Sequence, residues 1–382
     1  MEKEALRVVI VGTAYPYRGG LAAFNERLAR EFAARGAEVS IVTFTLQYPS
    51  FLFPGKTQYS DGPAPEGLDI RRLVNSVNPL SWIRAARHIR RMAPDIVVMK
   101  YWLPYMAPAL GSIARMSRRR GSRTRVVSIL DNMIPHEARP GDSLLSRWFC
   151  GSVDGFVAMS ESVLSDIDIF DRHRPRLLCP HPLYDQFGDT LDRGEACAAL
   201  GLDPALRYLL FFGLIRDYKG LDWLLEAIND PRIPQDVRLV VAGEYYGDPA
   251  PYEAAAMALG ERVIMRTGYV PDEMVRYYFC AADLVVQPYK SATQSGVTQI
   301  AAHFGRPMLV TGVGGLREMV PDGEAGYVVE PSPEAVADAL AQWAEEPRDF
   351  SAGLAALKQR YSWGAMCDAV ETIYRQSHDN QK

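Results

Sequence analysis

Apolar runs recur along the chain, each closed by glycine or a polar turn and followed by a stretch with helical spacing. RVVIVG at 7–12 reads as a buried strand. The turn TAYPYRGG comes next, then a helix from about Leu21 to Arg35 stopped by Gly36, then EVSIVTF at 38–44 as a second strand. Strand, loop, helix, strand in that order opens a parallel sheet with right-handed crossovers. DIVVMK (95–100), RVVSIL (125–130) and VDGFVAM (153–159) extend it, placing a first domain at 1–180. Residues 181–205, which include HPLYDQFGDTLDRG, are richer in Pro, Asp and Gly and read as a linker. The pattern then restarts. RYLLFFG, VRLVVAG, RVIMRTG, DLVVQP and PMLVTG read as strands, and GLDWLLEAI, DEMVRYYFCAA and SGVTQIAAHFG as helices. Continuous apolar strands separated by helices predict a second doubly wound sheet over 206–350. The stretch 351–382, helical over about 361–377, follows the last piece of that sheet and is expected to return to the first domain.

Composition narrows the class. At 382 residues and 48% hydrophobic the chain suits two α/β domains better than one core. A net charge of -4 with 23% charged residues gives no sign of nucleic acid as a partner. Cys150, Cys179, Cys197, Cys280 and Cys367 are widely spaced and form no CxxC or Cys/His cluster, so neither a metal centre nor a disulfide scaffold is expected. The expectation is a cytoplasmic protein without signal peptide or membrane span. Basic residues are uneven: Arg84, Arg87, Arg90 and Arg91 share one helix, and Arg115, Arg118, Arg119, Arg120, Arg123 and Arg125 crowd the next and its exit. They read either as a solvated face with cations at helix C-termini or as contacts to an anionic membrane surface, peripheral at the inner face of the cell membrane.

Candidate chemistry lies in the loops after strands. In FFGLIRDYKG (211–220) an apolar run ends at Gly213, and the loop carries Arg216 and Lys219 just before a helix. Paired cations there can neutralise a diphosphate, and an arginine can contact two oxygens at once. Gly19 and Gly20 allow close approach of a ligand to amides at a helix start, or serve the turn alone. They do not form GxGxxG, and Phe44 and Thr45 close the second strand where an acid would hold a ribose, which counts against a nicotinamide dinucleotide. Gly312, Gly314 and Gly315 follow another strand, and the amides of Gly314, Gly315 and Leu316 are placed to face the same phosphates. Asp131, His136 and Glu137 follow a strand of the first domain, at the edge where open α/β sheets bind ligands. His136 is of the residue type that can accept or donate a proton near neutrality, or is structural beside its proline; His181, in the linker, is a weaker candidate. Tyr48, Phe51, Leu52 and Phe53, with YWLPYM at 101–106, either pack under their loops or display an apolar patch suited to a lipid-like acceptor.

Together FFGLIRDYKG, VVAGE, TGYVP, AADLVVQPY, GRPMLVTGVGGLREMVPDGEAGYVV and the closing YSWGAMCDAVETIY resemble the retaining, nucleotide-sugar-dependent glycosyltransferases of group 1, in a divergent branch. The resemblance covers nearly all of the chain and implies a GT-B fold, with two facing Rossmann-like domains and a cleft between them. It places Gly20 over the donor diphosphate or sugar. Arg216 and Lys219 match the basic pair on the donor phosphates, and Gly213, Glu244 and the Gly314–Leu316 segment lie on the donor side. The arginine of the usual GR pair falls on Leu214 here. Asp131 stands where many relatives have a histidine near the transferred sugar. Two glutamates with seven residues between them are replaced by Ala292 and Ile300; Thr293, Gln294, Ser295 and Thr298 are the neutral polar groups nearby, and the amides of Ser295, Gly296 and Val297 are candidates for the sugar or phosphate.

The function implied is transfer of a sugar, with retention, from a UDP- or GDP-sugar to a glycan or lipid-linked acceptor in cell-surface polysaccharide synthesis, without metal or other cofactor. Arg216, Lys219, His136 and Asp131 carry the chemistry in that reading. The missing glutamates keep open a non-catalytic nucleotide-sugar-binding protein, and the architecture also fits a nucleotide-sugar hydrolase or epimerase.

Overall fold

The computed structural model describes residues 5–49, 58–60, 62–119, 121–134, 140–292 and 295–379. They fall into two units: the residues up to Pro182 together with those from Tyr361, and Leu183–Arg360. The sequence boundaries at 180, 205 and 350 compare with breaks after 182 and 360.

The first unit is built on strands β1 (Arg7–Val11), β2 (Glu38–Leu46), β3 (Asp69–Asn75), β4 (Ile96–Tyr101), β5 (Arg125–Leu130), β6 (Gly155–Ala158) and β7 (Arg176–Leu178). Helices α1 (Gly20–Ala34), α2 (Pro79–Met92), α3 (Ala107–Ser117), α4 (Asp142–Cys150) and α5 (Glu161–Phe170) connect them. The sheet is parallel with order β3-β2-β1-β4-β5-β6-β7. β4 and β5 are buried at every residue, as a parallel strand covered by helices on both faces must be. Successive side chains divide between two cores. Val9 and Val11 join Val97, Met99, Leu110 and Phe149 on one face, while Val8 and Ile10 join Phe24, Leu28, Val98 and Ile129 on the other.

The second unit carries β8 (Arg207–Phe212), β9 (Val237–Ala242), β10 (Val263–Arg266), β11 (Leu284–Gln287), β12 (Met308–Thr311) and β13 (Gly326–Val329). Its helices are α6 (Arg193–Leu200), α7 (Leu221–Ala227), α8 (Ala250–Leu259), α9 (Asp272–Ala281), α10 (Gly296–His303), α11 (Leu316–Met319), α12 (Pro333–Glu345) and α13 (Ser351–Arg360). The parallel order β10-β9-β8-β11-β12-β13 repeats that of the first sheet. The last helix, α14 (Trp363–Asp379), lies in the first unit, where Met366, Val370 and Ile373 complete the core beneath α1 and the Trp363 ring stands 5.0 Å from that of Phe24.

In both sheets the chain runs outward from a central strand, then crosses back to start the other side. The reversals fall between β1 and β4 and between β8 and β11. At such a point two loops diverge beyond the strand carboxyl ends and leave a crevice, where open α/β sheets bind ligands. No described helix is long and apolar enough to cross a membrane.

Candidate functional site

The β8–β11 reversal holds the strongest group of site residues. Gly213 leaves β8 at φ 95, a left-handed turn that glycine adopts without cost. The next loop is tied to the one after β9: the Ile215 amide donates to the Glu244 carbonyl at 2.7 Å, and the Tyr246 amide to the Ile215 carbonyl at 2.9 Å. A single 3-10 turn, Asp217–Lys219, ends at Gly220, where φ is 70. A side-chain carbon at Gly220 would sit 2.0 Å from the Pro288 carbonyl oxygen, so only glycine lets this loop lie against the end of β11.

That geometry turns Lys219 back over the sheet edge. A carbon added at Gly213 would lie 3.4 Å from Lys219 Nζ and 3.8 Å from Val297 Cγ2, so the lysine and the start of α10 meet there. Nζ lies 5.6 Å from the centre of the Tyr289 ring. Among the described residues no carboxylate pairs with it. Burial, and secondarily the Arg216 charge, bring the ammonium down to about 8 from its ordinary 10.5. Arg216 places its guanidinium 4.0 Å over the Tyr246 ring, and its Nε is buried with no hydrogen-bond partner among the described residues. Two uncompensated cations on one short loop favour an anion.

The α10 start is more committed than its sequence suggests. Ser295 Oγ accepts from the Val297 amide at 3.2 Å and donates to Gln287 Oε1 at 2.6 Å; the Thr298 hydroxyl donates to the Ser295 carbonyl at 2.6 Å. Of the three amides considered there, Val297's is therefore occupied. Ile300 is buried and offers nothing polar. After β12 the Leu316 amide is likewise used, donating to the Val313 carbonyl at 3.2 Å, while Gly314, at φ 50, shapes the turn with Gly315. Glu244 is exposed and meets the site through its carbonyl. Thr293, Gln294, His136 and Glu137 lie outside the described residues.

In the first unit Gly19, at φ 101, caps α1, and a side-chain carbon at Gly19 or Gly20 would meet nothing within 4 Å. At the β1–β4 reversal the structure brings together residues that the sequence left apart. Lys100, 1% exposed, places Nζ 2.8 Å from Asp131 Oδ1 and 3.5 Å from the centre of the Phe24 ring. Burial lowers this ammonium's pKa, and the Asp131 carboxylate opposes the shift. His181 packs edge-on against Phe24 at 5.2 Å, and burial, with Lys100 next, lowers its pKa. Thr13 Oγ1, Asn25 Oδ1 and Asp131 Oδ2 are buried acceptors without a partner among the described residues. Lys100 escaped sequence reasoning, although a lysine closing an all-apolar strand was a signal.

The aromatic and basic stretches are less available than expected. Tyr101 is buried and stacks on Phe149 at 4.1 Å, Trp102 Nε1 donates to Tyr48 Oη at 2.6 Å, and Tyr48 stacks on Tyr105 at 6.1 Å. These rings fill the first unit instead of forming an exposed patch; Phe51, Leu52 and Phe53 lie outside the described residues. Arg118 pairs with Asp154, Arg115 bonds Ser152 Oγ at 2.8 Å, and buried Arg125 bonds the Ser377 carbonyl at 3.3 Å. Arg84, Arg87 and Arg91 remain exposed on α2.

Residues 19–180 match the family of glycosyl transferase 4-like domains, and residues 207–346 match glycosyl transferases group 1. The chain belongs to the group 1 glycosyltransferases. The chain is 28% identical to a D-inositol 3-phosphate glycosyltransferase of Xylanimonas cellulosilytica, over 94% of its own length and 92% of the relative's. It is 35% identical to the protein of that name from Mycolicibacterium gilvum, where the match spans 48% of this chain and only 42% of the relative. Among solved structures, sucrose-phosphate synthase from Thermosynechococcus elongatus aligns with TM-score 0.63 at 17% identity, covering 98% of this chain and 100% of that one. Anabaena HepE in complex with UDP aligns with TM-score 0.61 at 17% identity, covering 98% and 99%. The chain thus has the two-domain GT-B fold, consistent with its two parallel sheets.

Proposed function

We propose that this glycosyltransferase moves a sugar, with retention and without a metal, from a UDP- or GDP-sugar to a hydroxyl of a glycan or lipid-linked acceptor in polysaccharide synthesis. The observation that carries the reading is Lys219: a half-buried ammonium without a carboxylate partner among the described residues, beside Arg216 and the start of α10, at the carboxyl edge of the second sheet. An unpaired cation held in that position is stabilised when an anion arrives. As the bond from the anomeric carbon to the diphosphate breaks, its electron pair passes to the leaving phosphate oxygen, and Arg216 and Lys219 neutralise the growing charge. The acceptor oxygen forms its bond to the anomeric carbon on the face the phosphate vacates, and its proton passes to that phosphate. No glutamate is needed for the step, in keeping with Ala292 and Ile300. The UDP in the complex of Anabaena HepE supports a nucleotide-sugar donor, and the name of the inositol-phosphate relatives supports a hydroxyl acceptor. Asp131, held by Lys100 at 2.8 Å in the first unit, takes in this reading the place of the histidine that many relatives carry.

Calorimetric titration with UDP, GDP and their glucose and mannose conjugates tests the donor assignment. Binding of one of them, lost in Arg216→Ala/Lys219→Ala, is expected; unchanged affinity in the double variant would refute the phosphate site. A second reading, a nucleotide-sugar-binding protein without turnover, draws on the apolar burial of Ile300 where relatives place an acid. Tight donor binding with no product from any glycan or lipid-linked hydroxyl would favour it.

A further inference from the structure

A cavity of about 680 Å³ opens between α7 and α8, lined by one side of the β8–α7 loop and by the loop after β9. It is distinct from the surface over Gly213, where Lys219 and Val297 meet, and shares with the donor site only the loop bearing Arg216. Its size is that of a small-molecule site. The space follows from sequence: α8 presents Ala255 and Ala258 toward α7, and Ala256 is the helix's one buried residue. Hydrogen bonds between the two loops, from the Ile215 amide to the Glu244 carbonyl and from the Tyr246 amide to the Ile215 carbonyl, hold its upper wall.

We infer that this cavity is a carbohydrate subsite, taking a neutral sugar unit on its tyrosine wall. Tyr245 and Tyr252 stack at 6.2 Å with 21° between their planes, and Tyr246, 66% exposed, stands at the mouth. Such rings match the apolar C–H face of a pyranose. The Tyr245 hydroxyl is buried without a hydrogen-bond partner among the described residues. At the rim, Glu226 and Asn229 are exposed, supplying an acceptor and a group that both donates and accepts. Hydroxyls, which donate and accept together, are served by that mixture. A cation is served less well: Lys290 already neutralises Asp217 and Asp222 at 2.9 and 2.8 Å, and Arg216 adds positive charge. Saccharide binding does not depend on the donor reading. Its use, gripping a glycan acceptor or product away from the reacting end, rests on the proposed function.

Saturation-transfer NMR on the full chain tests the site, with maltose, cellobiose, lactose and mannobiose as probes, each with and without saturating UDP, and spermine as the cationic probe. At least one disaccharide is expected to bind in the millimolar range, unaffected by UDP, and roughly tenfold more weakly in both Tyr246→Ala and Tyr252→Ala. Tyr246 is exposed, so its variant keeps the test valid if Tyr252→Ala fails to fold; thermal melts establish which does. The inference is overturned if no disaccharide binds, if UDP displaces it, if the folded variants bind like wild type, or if spermine alone binds. Loss of UDP binding with the disaccharide signal intact would sink the donor assignment and leave the subsite standing.

Discussion

Replacing Lys219 by methionine should make the unliganded protein more stable and its grip on a nucleotide diphosphate weaker. The folded state holds this ammonium at about 8 against 10.5 for an ordinary lysine, chiefly through burial. Between those two values the unfolded chain binds the extra proton, so wild-type stability rises with pH from about 8 toward 10.5, and below 8 the cost of the buried charge is present in full. After allowance for the water that reaches a half-buried side chain, that cost is of order 2 kcal/mol. Lys219→Met should therefore gain about that much near neutral pH and lose its advantage above the lysine's ordinary pKa. The diphosphate needs the protonated form. Its affinity for wild type should fall about tenfold as pH rises from about 7 to 9, with proton uptake on binding, while Lys219→Arg, always charged, stays flat. Urea denaturation across pH gives the first quantity. Titration calorimetry with UDP and GDP, in two buffers of different ionisation heat, gives the second. A methionine variant that is less stable near neutral pH, or a wild-type affinity independent of pH, would refute the argument.

Other consequences are open to measurement. Lys100→Met leaves Asp131 without its 2.8 Å partner and should cost about 3 kcal/mol in urea denaturation, whereas Lys100→Met/Asp131→Leu should regain most of it while losing transferase activity; recovery of activity in the double variant would show the pair to be structural only. Gly220→Ala meets the Pro288 carbonyl oxygen at 2.0 Å in a left-handed turn, and should cost at least about 1–3 kcal/mol and lower UDP or GDP affinity by moving Lys219; wild-type stability and affinity would show that the loop relaxes freely. If α2 touches an anionic surface, Arg84→Glu/Arg87→Glu/Arg91→Glu should abolish flotation with phosphatidylserine vesicles at low salt, and equal flotation of variant and wild type would remove that role from the helix.

Sequence alone determined the two sheets, because a strand covered on both faces must be apolar throughout, as β4 and β5 are. It also exposed Arg216 and Lys219, since charges between an apolar run and a helix have no place in a core. The outer strands were harder to read: β3 carries two adjacent exposed arginines, Arg71 and Arg72, and fully buries only Val74, and β7 has only three residues. Tertiary structure decided which charged groups were available. The Arg115–Arg125 cluster looks continuous in sequence, yet Arg118 and Arg125 turn inward to partners more than thirty residues away. Folding likewise brings Lys100, Asp131, Asn25 and His181 to one sheet edge, and clears a cavity between α7 and α8 where the small side chains of α8 face α7. Burial periodicity is a local property of the chain, whereas a charge's partners and a cavity's walls come from segments whose separation in sequence does not reveal their proximity in space.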